Sequence, residues 1–207
     1  SNDLLSGSNT FGLTFDFFID WAINRISPYV WIKRILLPTY TYDEFIGKLD
    51  SEMEKEFGKD YLCRLGRFAT EYDMQVQFIV FHDELDWAND RSELIIVSLS
   101  FKEGYYSFSP QKYSLSEFKE LIKSHSGGPV SIGSKGLIYG TSRLECSLSK
   151  TDSLYPGDAD LLLLNEDNKA VCILEFKKHT LSSPVSEQCF TNYYPRPDGR
   201  KYKRLAL

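Results

Sequence analysis

The sequence has few of the residues that bind zinc or form disulfides. Its 207 residues include only four cysteines and three histidines. Neither a Cys-x-x-Cys unit nor a clustered histidine pair occurs, which argues against a zinc site. The wide spacing of the cysteines predicts reduced thiols in the core rather than a disulfide framework. They are Cys63, Cys146, Cys172 and Cys189.

The sequence also lacks a long apolar segment. We expect no signal peptide, and no uninterrupted apolar run approaches the roughly 20 residues that cross a bilayer. We therefore expect a cytoplasmic protein with no membrane partner.

Acidic residues outnumber basic residues, 29 to 24. The formal net charge is −5, which argues mildly against a protein that coats nucleic acid through a broad positive field. An enzyme with acidic metal ligands and a local positive channel is still compatible with this value. The densest basic run lies within residues 196–204, and it predicts either phosphate contacts or a solvated helix face. Its candidate nucleic-acid-binding residues are Arg200, Lys201, Lys203 and Arg204.

The apolar pattern predicts a mixed α/β (α+β) fold. Hydrophobic residues make up 42% of the chain and aromatic residues 14%, enough to bury a sizeable core. The break at Gly127-Gly128-Pro129 predicts a boundary near residue 130, between an N-terminal α+β region (1–130) and a second part (131–207). Predicted helices cover 41–57, 61–72 and 115–124, two buried helical pieces cover 11–37, another helix starts at 184, and predicted strands cover 75–82, 94–101 and 142–149.

Residues 158–177 have the pattern of a β-hairpin. Two apolar runs of strand length, 161–164 and 170–174, flank a polar four-residue loop. If Asn165 pairs with Ala170, then Asp160 falls opposite Glu175, and Asp158 falls opposite Lys177. Side chains alternate between the two faces along a strand. The residues that therefore share one face of the hairpin are Asp158, Asp160, Glu175 and Lys177.

Opposed carboxylates at the open end of this hairpin predict a metal site. Directly opposed residues have Cβ atoms about 5 Å apart, so Asp160 and Glu175 would repel each other without a cation between them. Mg²⁺ prefers oxygen ligands and commonly uses one or two carboxylates together with waters and phosphate oxygens. Lys177 would point at the same place, where it could hold a water or neutralise charge. The alternative is a surface hairpin with cross-strand charge pairs, such as Asp158 with Lys177.

At these residues the chain resembles the PD-(D/E)XK nuclease superfamily, which has an Asp at the start of one core strand and Glu/Asp-x-Lys at the end of the next. Here these positions are Asp160, Glu175 and Lys177. Gly157-x-x-Asp160 before an apolar strand is also similar to the Holliday-junction-resolvase-like branch. The resemblance covers about residues 137–207 and implies a restriction-endonuclease-like mixed β-sheet core flanked by helices.

The resemblance also implies an activity and a set of ligands. The chain would be a Mg²⁺-dependent nuclease acting on DNA, with Mn²⁺ as a substitute. Asp160, Glu175 and the backbone carbonyl of Phe176 would hold the metal, and Lys177 would orient the attacking water. Asp158 is a second candidate for the first acid. Hydrolysis of RNA and a catalytically silent nuclease-fold module that binds nucleic acid or a protein are the alternatives.

The sequence departs from the superfamily pattern in three ways. A helical Glu ahead of the core often joins the metal site, and here Glu145 is preferred over Glu44, Glu52 and Glu71. Tyr193 follows Gln188 one place later than the exonuclease branch requires, so both endonuclease and exonuclease activity are compatible with the sequence. The final core strand is not present, and we expect the core to continue past the apolar residues 205–207.

The tripeptide Glu-Phe-Lys occurs a second time, at residues 117–119. There, Ser114 and Glu117 have the spacing of a capping box, which predicts a helix start with solvated charges. Only the copy at 175–177 ends an apolar strand and follows an Asp at hairpin distance.

Overall fold

The computed structural model describes residues 9–130, 141–176, 184–187 and 189. Within these ranges the chain forms seven strands, five α-helices and a short 3₁₀ helix at Val185–Glu187. The strands are β1 (Thr10–Asp20), β2 (Arg25–Ile35), β3 (Gln75–Phe81), β4 (Glu93–Lys102), β5 (Tyr105–Ser114), β6 (Gly157–Asn165) and β7 (Ala170–Leu174), and the helices are α1 (Tyr42–Gly47), α2 (Leu49–Phe57), α3 (Lys59–Glu71), α4 (Leu115–His125) and α5 (Arg143–Leu148).

The strands form a mixed seven-stranded sheet flanked by helices, as the predicted α+β class requires. Their order is β5-β4-β3-β2-β1-β6-β7. Strands β2 and β3 are parallel, and a parallel pair needs a long crossover, which α1, α2 and α3 supply. None of the described helices has the length and apolar character to span a membrane.

The chain divides into two compact units. One contains residues 1–14 and 157–207, and the other contains residues 15–156. The boundary that the sequence predicts near residue 130 is not a junction of this division.

The prediction of helices within residues 11–37 is wrong, because this segment forms the antiparallel strands β1 and β2. Consecutive residues such as Phe17 and Phe18 are both buried, so the alternation that marks a strand is hidden. The turn between the strands is fixed by the Asp20 carboxylate, which accepts the backbone N–H groups of Ala22 and Ile23.

The prediction of a strand at 142–149 is also wrong, because the segment contains helix α5. The Ser142 hydroxyl accepts the backbone N–H of Glu145 at 3.2 Å and caps the helix. Leu144 and Leu148 are fully buried, which is the i, i+4 spacing of a helix face. The same residues also fit an alternating pattern, and eight residues are too few to separate the two periods.

The capping signals at Thr41 and Ser114 are confirmed. Each side chain accepts the backbone N–H of the residue three positions later, and each Glu reaches back to the cap. The second Glu-Phe-Lys therefore starts a helix, as predicted. The sequence does not predict strand β5. None of the residues in this strand is buried.

The core of the unit 15–156 lies on both faces of its strands. Phe57 of α2 packs against Phe78 of β3 at a ring-centroid distance of 4.9 Å. On the opposite face, Trp31 of β2 stacks on Phe118 of α4 at 5.0 Å. The central strands are consequently apolar at successive positions, as expected for strands covered on both sides.

The cysteines are free, as predicted, but three of them do not lie in the core. Cys146, Cys172 and Cys189 are exposed, and Cys63 is half-buried. In α5 the buried face consists of residues 144, 145 and 148, so the correction from strand to helix explains why Cys146 faces water.

His125 is a titratable group inside the aromatic core. It is 4% exposed, and its ring stacks on Tyr29 at 3.5 Å. Burial lowers the pKa of His125 from 6.5 to about 4, because the charged imidazolium loses its hydration.

We predict that His125 makes the protein less stable in mild acid. As the pH falls below 6.5 the unfolded chain binds a proton, while the folded protein does so only near pH 4. The free energy of unfolding should therefore fall by about 2 kcal/mol between pH 7.5 and pH 5 because of this group. Urea unfolding of wild type and His125→Phe across this range measures the difference, and equal pH slopes for the two proteins would contradict the prediction.

Candidate metal centre

The hairpin formed by β6 and β7 has the predicted register at its open end. Leu161 lies opposite Leu174, and Leu163 lies opposite Cys172. One further step along both strands brings Asp160 opposite Glu175. The loop end differs from the prediction, because Ala170 pairs with Leu164 instead of Asn165, and the register shifts between Leu163 and Leu164. Because the shift lies on the loop side of Leu163, the pairs from Leu163 to the open end keep the predicted register.

Hydrogen bonds to both its side chain and its backbone hold Asp160 in place. Its carboxylate Oδ2 accepts the backbone N–H of Phe176 at 2.7 Å, and its backbone carbonyl accepts the Thr14 hydroxyl at 2.9 Å. The first bond holds the end of β7 beside the carboxylate. A carboxylate has about four lone-pair sites, so this bond is compatible with metal coordination by the same group.

The Glu175 side chain brings a second carboxylate to the same end of the hairpin. Both of its carboxylate oxygens are shielded from solvent. Carboxylate oxygens are ligands that Mg²⁺ prefers, so the two acids at this end are of the type that the predicted site requires. Asp158, the second candidate for the first acid, is exposed and shares a face with Asp160.

Several predicted site residues lie outside the described part of the chain. They are Lys177, Arg200, Lys201, Lys203 and Arg204. Among the residues that are described, no three His, Cys, Asp or Glu side chains form a metal-binding group. Mg²⁺ usually keeps several waters and takes only one or two carboxylates, so the prediction of a site at Asp160 and Glu175 does not require a third such side chain.

Glu145, the preferred extra acid, lies in a buried ionic cluster of the unit 15–156. Its Oε1 accepts the Lys33 ammonium at 2.6 Å, and Asp16 Oδ2 lies 3.6 Å from the same ammonium. The backbone N–H and hydroxyl of Thr141 also donate to Glu145. The Lys33 ammonium lies 5.3 Å from the centre of the Tyr155 ring.

The pKa values of Lys33 and Tyr155 are both raised in this cluster. Burial alone would lower the pKa of Lys33, but Asp16 and Glu145 outweigh it and raise the pKa above its ordinary value. Burial raises the pKa of Tyr155 well above 10, and the same two carboxylates add to the rise. Lys33 is thus a protonated counter-ion rather than a nucleophile.

Sequence reasoning missed Asp16, Lys33 and Tyr155. Lys33 and Glu145 are 112 residues apart, and no local pattern connects them. The only available signal was a Lys and an Asp inside apolar segments, where charged residues need partners.

The other acids considered for the site have structural contacts. Glu44 caps α1 through Thr41, and Glu52 lies 4.0 Å from Arg34. Glu71 is the last residue of α3. Of these acids, Glu145 is the one that lies on a helix shortly before β6.

Comparison of the chain with protein-family models, with curated protein sequences and with solved structures found no match. The mixed sheet flanked by helices is the class that the sequence predicts.

We predict that Lys33 is essential for stability. Lys33→Met leaves two buried carboxylates without their shared ammonium, and this should lower the free energy of unfolding by about 3 kcal/mol. Lys59→Met is the matched control, because Lys59 pairs with Glu54 at 3.3 Å but is 74% exposed, so the change should be under about 1 kcal/mol.

Urea unfolding at neutral pH measures both variants. Adding Asp16→Asn and Glu145→Gln to Lys33→Met should recover much of the loss, because neutral amides cost less to bury than charges. Equal stability of Lys33→Met and Lys59→Met would show that the cluster is not a stabilising ionic group.

Proposed function

We propose that this chain is a Mg²⁺-dependent nuclease that hydrolyses phosphodiester bonds in DNA. The observation that carries the proposal is the register of the β6–β7 hairpin, in which Leu161 lies opposite Leu174, so the next step along both strands brings Asp160 opposite Glu175. The bond from the Phe176 N–H to the Asp160 carboxylate supports it, because it holds the end of β7 beside the first acid.

Each residue of the proposed site has a distinct role. Asp160, Glu175 and the backbone carbonyl of Phe176 would hold the ion. A bound Mg²⁺, or Mn²⁺ in its place, supplies a more acidic water and polarises the scissile phosphate. Lys177 orients the attacking water and offsets negative charge on the phosphoryl group. Asp158 is a further ligand candidate.

The basic run is the proposed contact with the DNA backbone. Arg and Lys side chains bind phosphate without regard to base sequence. The chain carries a net charge of −5, so a local cluster of cations is needed to bring DNA to two carboxylates. The residues proposed for this role are Arg200, Lys201, Lys203 and Arg204.

A catalytically silent nuclease-fold module is the second candidate. The observation that favours it is the Glu145 carboxylate, which already accepts hydrogen bonds from Lys33 and Thr141. In that case the hairpin is only structural, and the protein binds nucleic acid or another protein without cleaving it.

We predict that Asp160→Asn, Glu175→Gln and Lys177→Ala each reduce Mg²⁺-dependent DNA cleavage by about 100-fold or more, a loss typical of removing one charge-stabilising group. Asp160→Asn is the variant that best separates loss of charge from loss of structure. Its amide oxygen can still accept the Phe176 N–H, so the hairpin is kept while the charge is removed. Lys119→Ala, in the second Glu-Phe-Lys, is the matched control and should cleave like wild type.

Cleavage is measured on single-stranded DNA, double-stranded DNA and RNA, with Mg²⁺ or with EDTA. Preferred cleavage of RNA would correct the substrate. Binding of DNA by a wild-type protein that cleaves none of the three, with either Mg²⁺ or Mn²⁺, would support the silent module. Full activity of all three site variants would overturn the assignment of the site.

A further inference from the structure

The Thr14 side chain makes an unusual contact within the unit that contains the hairpin. Neighbouring strands are normally joined by backbone N–H and carbonyl groups. Here the Thr14 hydroxyl of β1 donates to the backbone carbonyl of Asp160 on β6 at 2.9 Å. Thr14 is the last residue of the N-terminal segment of this unit.

We propose that Thr14 is a positioning residue for the metal centre. This inference rests on the proposed function. The Thr14 hydroxyl holds the peptide that follows Asp160, and the Asp160 carboxylate holds the Phe176 N–H at 2.7 Å. Two successive hydrogen bonds therefore connect β1 to the peptide between Glu175 and Phe176, and Asp160 is fixed at both its backbone and its side chain.

The hydrogen bond from Thr14 can influence metal affinity although Thr14 is not itself a metal ligand. The orientation of the Asp160 carbonyl is coupled to the backbone dihedrals at that residue, and these set the direction of the carboxylate. Partners that orient a metal ligand typically contribute about 10–100-fold to metal affinity or activity. Thr14 is exposed, so removing its hydroxyl should cost little stability.

A purely structural role for Thr14 makes a different prediction. In that case the hydroxyl only strengthens the attachment of β1 to β6. Its loss would lower the free energy of unfolding, while the folded protein would bind metal as tightly as before. Metal affinity measured on folded protein therefore separates the two roles.

The test is isothermal titration of the full chain with Mn²⁺. Thr14→Val keeps the shape of the side chain and removes the hydroxyl, and its Kd should rise about 10-fold. Thr14→Ser keeps the hydroxyl and should restore a Kd close to wild type. Thr70→Val is the matched control, because the Thr70 hydroxyl also donates to a backbone carbonyl, that of Gly66 at 3.0 Å, and its loss should leave the Kd unchanged.

Circular dichroism before each titration verifies that the variants are folded, and Thr14→Ala replaces Thr14→Val if the latter is not. A wild-type protein that binds Mn²⁺, with an equal Kd for Thr14→Val, overturns the role of Thr14 and leaves the nuclease proposal intact. A wild-type protein that binds no Mn²⁺ at millimolar concentration overturns both proposals. A raised Kd that Thr14→Ser does not restore also overturns the role of the hydroxyl.

Discussion

The pairing register of β6 with β7 is the constraint on which the proposed chemistry depends. Side chains alternate between the two faces of a strand, so a slip by one residue would place Asp160 and Glu175 on opposite faces. The register is held by burial of Leu162 and Leu164 and by the bond from the Phe176 N–H to Asp160. Because the irregularity lies near the loop, the open end keeps the pairing that a metal centre needs.

The two compact units each contain a pair of carboxylates, and the pairs differ in how their charge is balanced. In the unit 15–156, Asp16 and Glu145 share the Lys33 ammonium. That arrangement is a buried ion cluster, in which the Lys33 ammonium compensates the negative charge of the two carboxylates. In the hairpin, Asp160 and Glu175 lie on neighbouring strands at the open end. We propose that a divalent cation and Lys177 balance the charge there, which makes the pair chemically useful.

The sequence predicts those parts of the structure whose signals are local. The capping boxes at Thr41 and Ser114 and the hairpin register at Leu161 and Leu174 depend only on neighbouring residues. The first two strands were missed because burial on both faces hides their period of two. Helix α5 was mistaken for a strand, although Ser142 and Glu145 have the same spacing as the two recognised capping pairs. The contacts of Lys33 and Thr14 depend on tertiary structure, and no local pattern predicts them.

A crystal of the protein soaked with Mn²⁺ and analysed by anomalous scattering tests the central claim most directly. The account predicts one strong peak at the open end of the hairpin, about 2.1 Å from carboxylate oxygens of Asp160 and Glu175. A peak elsewhere, or no peak at this end with both carboxylates ordered, would contradict it.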